Sequence, residues 1–530
     1  LTKYVNHEGS EIMGYKDLTD KVLLRVHKGH IYFNTEVLEE VFTYNPRFSR
    51  TKELLNYFPV KDQERIANVR TKVGKRLWAE VRIAVLDRDG TIFRTDKAYQ
   101  RWTEGYLEAM GPFDALDLTK VDDERLQQEF LAMEQAYLKH FRLIRYGMVT
   151  HSIGTNLMVK RWLTDWLDDR SGVLYSKVIS GLKGNKTIET NMALAKLADK
   201  AREDDAVARR LQELPSEAFL EELWAQPMYS DYRIELLEFL DAYGQRSHTR
   251  EIYFPRWADD PSLVVDILRA LVRSPQLDLE EMERNKVKER NEAEREILAA
   301  IGEMRYGYLR RKLFKTVLGY AQTYLMFREN QRFYLDHILY RWRRLFMEYG
   351  RRFRERGWLD SADDIFFLSK EEIFQMPGQP SEELRRTVEL RRKEFMRYKD
   401  RLPPKFLRGN TEFDDTVIWQ GDGLRIVGTS ASPGTCTGIV RVVDSIEQLG
   451  EVRDHEILVT TNTDPGWTAV FSKIGGLITE TGGVLSHGAV VSREYGLPAV
   501  TAVKGATKIF KTGQRITLDG NEGTIYVLEG

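Results

Sequence analysis

The strongest constraint on this chain is a change of texture just after Pro403-Pro404. Before it, apolar residues recur three and four apart inside long charged segments, which is the spacing of amphipathic helices. After it come short β-rich runs punctuated by Gly, Asp and Pro, the mark of short strands. Such a chain is multidomain: a large, mainly α-helical domain (1–404) precedes a small α/β domain (425–530) of ordinary domain size. Residues 405–424 are polar, contain glycine and lack periodicity, and read as a linker.

Within the helical region, Leu313, Val317, Tyr320, Tyr324 and Phe327 follow helical spacing from Leu309. The series resumes, across a possible break, with Ile338, Trp342, Leu345, Tyr349 and Phe353. Leu279 to Ile301 is a heavily charged helix and reads as a solvated face. A short strand is expected at Ile31-Tyr32-Phe33. In the small domain, strands are expected at 424–427, 438–443, 456–460, 476–479, 515–518 and 524–528. Short helices are expected near 446–452, 467–474 and 487–495.

Composition removes several function classes. Of 530 residues, 30% are charged, yet the formal net charge is -1, so neither nucleic acid nor a membrane surface is the default partner. The single cysteine, Cys436, excludes an intramolecular disulfide framework and a multi-cysteine zinc site, and fits a reducing compartment such as the cytoplasm. No apolar run is long enough to span a bilayer, and no secretory leader is evident. A chain opening on Leu1 rather than Met is compatible with a trimmed or a partly ordered protein and with a missing N-terminal segment.

The most informative segment runs from Thr479 to Val500. An apolar strand enters a Gly482-Gly483 turn, Ser486 is placed as an N-cap, and a helix carrying Ala489, Val490 and Val491 ends at Gly496 and Pro498. His487 then lies in the first helical turn, where free backbone N–H groups and the helix dipole favour an anion and a neutral imidazole. A neutral ring nitrogen can attack phosphorus, and the phosphohistidine formed would be stabilised there. Gly482 and Gly483 allow close backbone approach, Thr481 and Ser486 can orient the ring or bond phosphate oxygens, and Arg493 adds positive charge about two turns along. The competing reading is a core or capping histidine beside a structural turn, and on pattern alone both stand. No HxH, HExxH or Cys pair accompanies it, so no metal site is expected.

The block from Gly428 to Gly530 resembles the swivelling phosphohistidine (β/β/α) domain of PEP-utilising enzymes, a family that includes PEP synthase, pyruvate phosphate dikinase and rifampicin phosphotransferase. The resemblance rests on Gly428-Thr-Ser-Ala-Ser-Pro-Gly434 with Gly438, Thr463-Asp-Pro-Gly-Trp-Thr468, Thr481-Gly-Gly-Val-Leu-Ser-His487, Ser492-Arg-Glu-Tyr-Gly-Leu-Pro-Ala-Val500, and Asp519-Gly520 with Gly523, all in order. It implies that His487 is the phosphorylated residue. Cys436 stands where another small residue is usual and reads as packing, and Gly488 where Ala is frequent.

Residues 1–400 resemble the acceptor-binding region of the same family. The landmarks are His30-Ile-Tyr-Phe-Asn34, Ser180-Gly-Leu-Lys-Gly-Asn-Lys-Thr187, Tyr243-Gly-Gln-Arg-Ser-His-Thr-Arg-Glu251 with Pro255-Arg-Trp257, Arg328-Glu-Asn-Gln-Arg-Phe333 and Asp363-Asp-Ile-Phe-Phe-Leu368. Arg328 and Arg332 share a helical face and can clamp a phosphoryl group, or else pair with Glu329 or Asp336. The resemblance puts Arg328, Glu329 and Arg332 near the acceptor. Arg246, Glu251, Arg256 and Trp257 either line the acceptor pocket or brace it. Gln245 and Ser247 replace the family's usual His and Gly, which leaves His248 as a candidate base, with His337 a weaker one. His140 and His151 sit in apolar, aromatic surroundings and read as packing residues.

The family's ATP-grasp domain and the barrel that handles PEP have no counterpart in these residues. The resemblance therefore implies an ATP-dependent phosphotransferase of dikinase type whose ATP and Mg2+ are bound by an ATP-grasp partner subunit or by a missing domain. In domain content the chain is similar to the acceptor and phosphohistidine subunit of phenylphosphate synthase. This implies a phenol-like hydroxyl acceptor and the reaction of phenol, ATP and water to phenylphosphate, AMP and phosphate. A piece of an antibiotic phosphotransferase, a PEP-synthase-like subunit and a non-catalytic phosphocarrier are the alternatives.

Overall fold

The computed structural model describes residues 2–529 apart from 20, 45, 46, 48, 49, 51, 56, 248, 274–277, 376–381, 400–403, 405, 414–424, 445 and 464. The fold class expected from the sequence is the one found, helices first and a small sheet domain last. The chain forms two compact units, and they interleave along the sequence: Leu1–Gly147, Arg250–Phe254 and Tyr334–Asp415 form one, and Met148–Thr249, Pro255–Phe333 and Thr416–Gly530 form the other.

The first unit is helical. Helix Thr95–Asp114 buries Tyr99, Trp102, Tyr106 and Phe113, and helix Asp123–Ile144 buries Leu126, Phe130, Met133 and His140. Asp122 caps the second of these by accepting the Arg125 N–H at 2.7 Å. His140 is fully buried, 3.1 Å from the Tyr99 hydroxyl, and burial holds its ring down to about 3, so it packs as a neutral residue. The strand expected at Ile31–Phe33 is present as His30–Phe33, paired with Leu24–His27. Within the span read as a linker, Phe406–Arg408 and Thr411–Phe413 form a second hairpin. Phe406 and Phe413 stack at 5.6 Å, and Arg25 donates to the Gly409 carbonyl at 2.9 Å.

In the second unit, helix α1 (Lys186–Glu203) is capped by Asn185, whose Oδ1 accepts the Thr187 N–H at 2.9 Å. Helix α2 (Leu279–Gly302) buries Ala293, Ile297 and Ile301 along one stripe. Helix α3 (Gly307–Glu355) is continuous for 49 residues, so the possible break between Phe327 and Ile338 does not occur; its residues to Phe333 belong to this unit and the remainder to the first.

The small domain is one mixed sheet of eight strands among the described residues. These are β1 (Arg425–Val427), β2 (Thr429–Ser432), β3 (Thr435–Val442), β4 (Ile457–Thr460), β5 (Gly476–Thr479), β6 (Ala499–Thr501), β7 (Arg515–Asp519) and β8 (Thr524–Glu529). Their order is β1-β8-β7-β3-β4-β5-β6-β2. The pairs β3·β4, β4·β5 and β5·β6 are parallel. Every residue of β4 and β5 is buried, as central parallel strands covered on both faces require. Ile457 and Val459 face one core and Leu458 the other, which is the period-two alternation of a strand. Cys436 packs beside that first core, where burial pushes its thiol up to about 11.

Candidate functional site

The site begins with the turn that leaves β5. Gly482 has φ +105°, a conformation that L side chains rarely adopt, and a Cβ added there would lie 2.8 Å from the Ser486 Cβ. Ser486 N–H donates to the Gly483 carbonyl at 2.8 Å. The chain thus doubles back and enters helix α4 (His487–Tyr495), with the Ser486 Oγ accepting the Ala489 N–H at 3.4 Å. Gly496 closes the helix at φ +66°. Gly482→Ala should cost about 1–3 kcal/mol of stability through backbone strain and crowding of the cap, read as a lower thermal unfolding midpoint.

His487 is therefore the first residue of α4, where the backbone N–H groups have no partner within the helix. Its ring is 11% exposed. Nδ1 faces the Glu329 carboxylate of α3 at 3.7 Å, a charge contact longer than a hydrogen bond. Nε2 is buried and has no hydrogen-bond partner among the described residues.

Glu329 is the second member of the site. Burial raises its carboxyl, but the His487 ring and the Arg328 and Arg332 guanidiniums outweigh burial and hold it below the ordinary glutamate range. Arg328 and Arg332 make no ion pair within 4 Å among the described residues, and both are partly exposed. The site thus joins a buried carboxylate, two arginines with no anionic partner in contact, and a histidine at a helix N-terminus. This arrangement suits a dianion arriving on the histidine. Asn330 was not singled out in the sequence, although it lies inside the quoted Arg328–Phe333 segment. It ties α3 to the loop before α1, accepting the Lys186 N–H at 2.9 Å and donating to the Gly184 carbonyl at 2.7 Å.

The supporting residues divide by what they touch. Arg493 is buried and donates to the Ala431 carbonyl at 2.6 Å, bracing α4 on β2. Burial lowers its guanidinium, which Tyr175, Glu494 and Glu329 partly offset. Thr481 donates to the Thr461 carbonyl at 3.0 Å and so holds the turn. Gly488 packs closely: an added Cβ would sit 2.7 Å from the Thr463 Oγ1, a buried hydroxyl whose motif the sequence shows without pointing to this contact.

Arg246 lies with its guanidinium 5.6 Å from the Phe333 ring centroid, next to Arg332 in sequence. Arg256 is fully buried and donates to the Thr249 carbonyl at 2.9 Å. Trp257 is 4% exposed and stacks on Phe239 at 5.9 Å within the core of α1 and its neighbours. Glu251 is exposed and belongs to the first unit, as does His337. His248 lies outside the described residues. His151 is buried against Tyr324 at 4.9 Å. No group of three or more His, Cys, Asp or Glu is placed to hold a metal ion, and no helix is long and apolar enough to cross a membrane, among the described residues.

Residues 143–329 match the rifampicin phosphotransferase fourth domain, and residues 452–523 match the mobile domain of PEP-utilising enzymes. The chain is 28% identical to a rifampicin phosphotransferase of Streptomyces sviceus, over 74% of this chain and 46% of that protein. It is 28% identical to one of Bacillus subtilis, over 72% and 44%, and 29% identical to one of Bacillus cereus, over 80% and 48%. The chain spans about half the length of these relatives.

Proposed function

We propose, for a chain that joins a rifampicin phosphotransferase fourth domain to the mobile domain of PEP-utilising enzymes, that it is the phosphoryl-carrying and acceptor-binding part of an ATP-dependent phosphotransferase. The observation that carries this reading is His487 at the head of α4 with its ring against Glu329, beside Arg328 and Arg332. ATP and Mg2+ belong, on this reading, to an ATP-grasp domain or chain outside residues 1–530.

In-line geometry supports distinct roles for the two ring nitrogens. The attacking oxygen must approach phosphorus from the side opposite the leaving nitrogen, at least about 3 Å beyond it. A carboxylate 3.7 Å from Nδ1 leaves no room for that on Nδ1, and it lies on the wrong side for Nε2. Glu329 is thus a positioning residue. In the docked arrangement it favours the ring proton on Nδ1, so that Nε2 is the nitrogen from which the phosphoryl group leaves. In delivery, the acceptor hydroxyl oxygen bonds to phosphorus and gives up its proton to solvent, the Nε2–P bond breaks with its electron pair returning to the ring, and Arg328 and Arg332 balance the phosphoryl oxygens.

The acceptor is a small-molecule hydroxyl. The names of the relatives point to rifampicin, whereas similarity of domain content to phenylphosphate synthase points to phenol. Both belong in one assay. The chain is mixed with an ATP-grasp partner and with ATP labelled at the β or the γ phosphate, followed by each acceptor. The wild type should take an acid-labile label and lose it to one acceptor, and His487→Ala should take none. Equal label on both proteins would overturn the reading. Stable label on the wild type with no transfer to any hydroxyl would favour a carrier without an acceptor role.

A further inference from the structure

The charged helix α2 is more than a solvated face. It holds the loop Ser180-Gly181-Leu182 tightly: a Cβ on Gly181 would fall 2.6 Å from the Lys286 backbone carbonyl carbon and 2.7 Å from the Val287 nitrogen. Gly181 has φ +60°, and Arg290 of α2 donates to its carbonyl. The N–H of the same residue, on the preceding peptide, faces the small domain. Gly181 N–H donates to the Glu494 carboxylate of α4, with both oxygens at 3.0 Å. Around this point Val484, Leu485 and Val490 enter the same apolar cluster as Ile297, Phe314 and Leu318.

We propose that the Glu494 carboxylate and the Gly181 peptide form the latch by which the His487-bearing domain recognises its acceptor station. The inference rests on reading residues 425–530 as a mobile carrier. An apolar patch alone tolerates sliding, because its attraction is not directional. A single carboxylate closed on one backbone N–H fixes register. Glu494 is two helical turns from His487, so the bond sets where the ring arrives. Gly181 is held by Arg290 through its carbonyl and pressed on the α2 backbone, so the N–H it offers to Glu494 is a rigid target.

The latch is also tuned. Burial pushes the Glu494 carboxyl up to about 7, against the lowering effects of the Gly181 N–H, Arg493 and Lys286, with Glu283 adding to the rise. Arg290 also lies close by, donating to the Gly181 carbonyl. A value raised in the docked state means that the protonated carboxyl docks more tightly. Docking is then strongest below the ordinary carboxyl range and weakens as pH rises through about 7.

Hydrogen exchange on the full chain tests this without any phosphoryl transfer. The reporting peptides cover Lys177–Leu182 and Val484–Val491, with β4 and β5 as internal controls. Corrected for intrinsic rates, the wild type should be more protected at pH 6 than at pH 8. Glu494→Gln, which keeps an acceptor oxygen but cannot ionise, should stay protected at both. Glu494→Ala should exchange about ten-fold faster in both reporting peptides with the controls unchanged. Wild-type protection in Glu494→Ala would overturn the latch. Loss of protection in Glu494→Gln equal to that in Glu494→Ala would overturn it as well, by showing that charge rather than N–H capping holds the contact. A silent labelling experiment at His487 would leave this result standing, and a negative exchange result would leave the carrier role of His487 standing.

Discussion

Glu329→Ala should slow delivery from phosphorylated His487 to the acceptor by about a hundred- to thousand-fold, the scale on which a carboxylate that fixes a catalytic histidine's tautomer acts. The charging step, in which on the proposed reading His487 takes its phosphoryl group at the donor, should be nearly unchanged, because that reading has Glu329 act only where the acceptor binds. Glu329→Gln should recover part of the loss, since it keeps the shape and an acceptor oxygen but not the charge. The double replacement of Arg328 and Arg332 by alanine should cost at least about a hundred-fold in delivery through lost neutralisation of the phosphoryl oxygens. Quenched-flow measurement of label on the protein and on the acceptor separates the two half-reactions. Equal loss in charging and delivery would refute the positioning role, because a merely structural defect slows both.

Trp257→Ala should lower stability by about 3–5 kcal/mol, the range for removing a large aromatic side chain from a packed core. Its ring stacks on Phe239, and its backbone N–H donates to the Arg246 carbonyl at 2.9 Å. Truncation therefore opens a cavity in the core shared by α1 and its neighbours and loosens the turn that carries Arg246. Denaturant unfolding gives the magnitude. If Trp257 instead lined an acceptor pocket, Trp257→Ala would unfold like the wild type and weaken acceptor binding alone.

The two predictions mark what could be read from the residues. The Gly482 turn, the Ser486 cap and the place of His487 at a helix start are local, set by a few neighbouring residues, and each is found. Glu329 was named, yet its role was not, because its partner in sequence space is Arg328 or Arg332 while its partner in the fold is His487. The polar run Arg328-Glu-Asn-Gln-Arg332 interrupts the apolar series and so suggested a break in α3. The helix continues because those polar groups have uses: Asn330 bonds the Gly184–Lys186 loop and Glu329 faces the histidine. Strands β2 and β6 escaped notice because Thr-Ser-Ala-Ser and Ala-Val-Thr carry few large β-formers. They are strands because they pair with each other, antiparallel, at one edge of the sheet. The hairpin at 406–413 was hidden for the opposite reason: its stacked Phe406 and Phe413 lie among polar residues that mask the pairing.

The Nε2 of His487 is buried and has no hydrogen-bond partner among the described residues. On the proposed carrier reading, a phosphoryl group bonded there needs room that this closed arrangement does not leave. Transfer in either direction then requires the docked domain to loosen around the nitrogen, and because forward and reverse transfer cross the same barriers, that loosening sets how fast the phosphoryl group exchanges with the acceptor and not which side of the exchange is favoured.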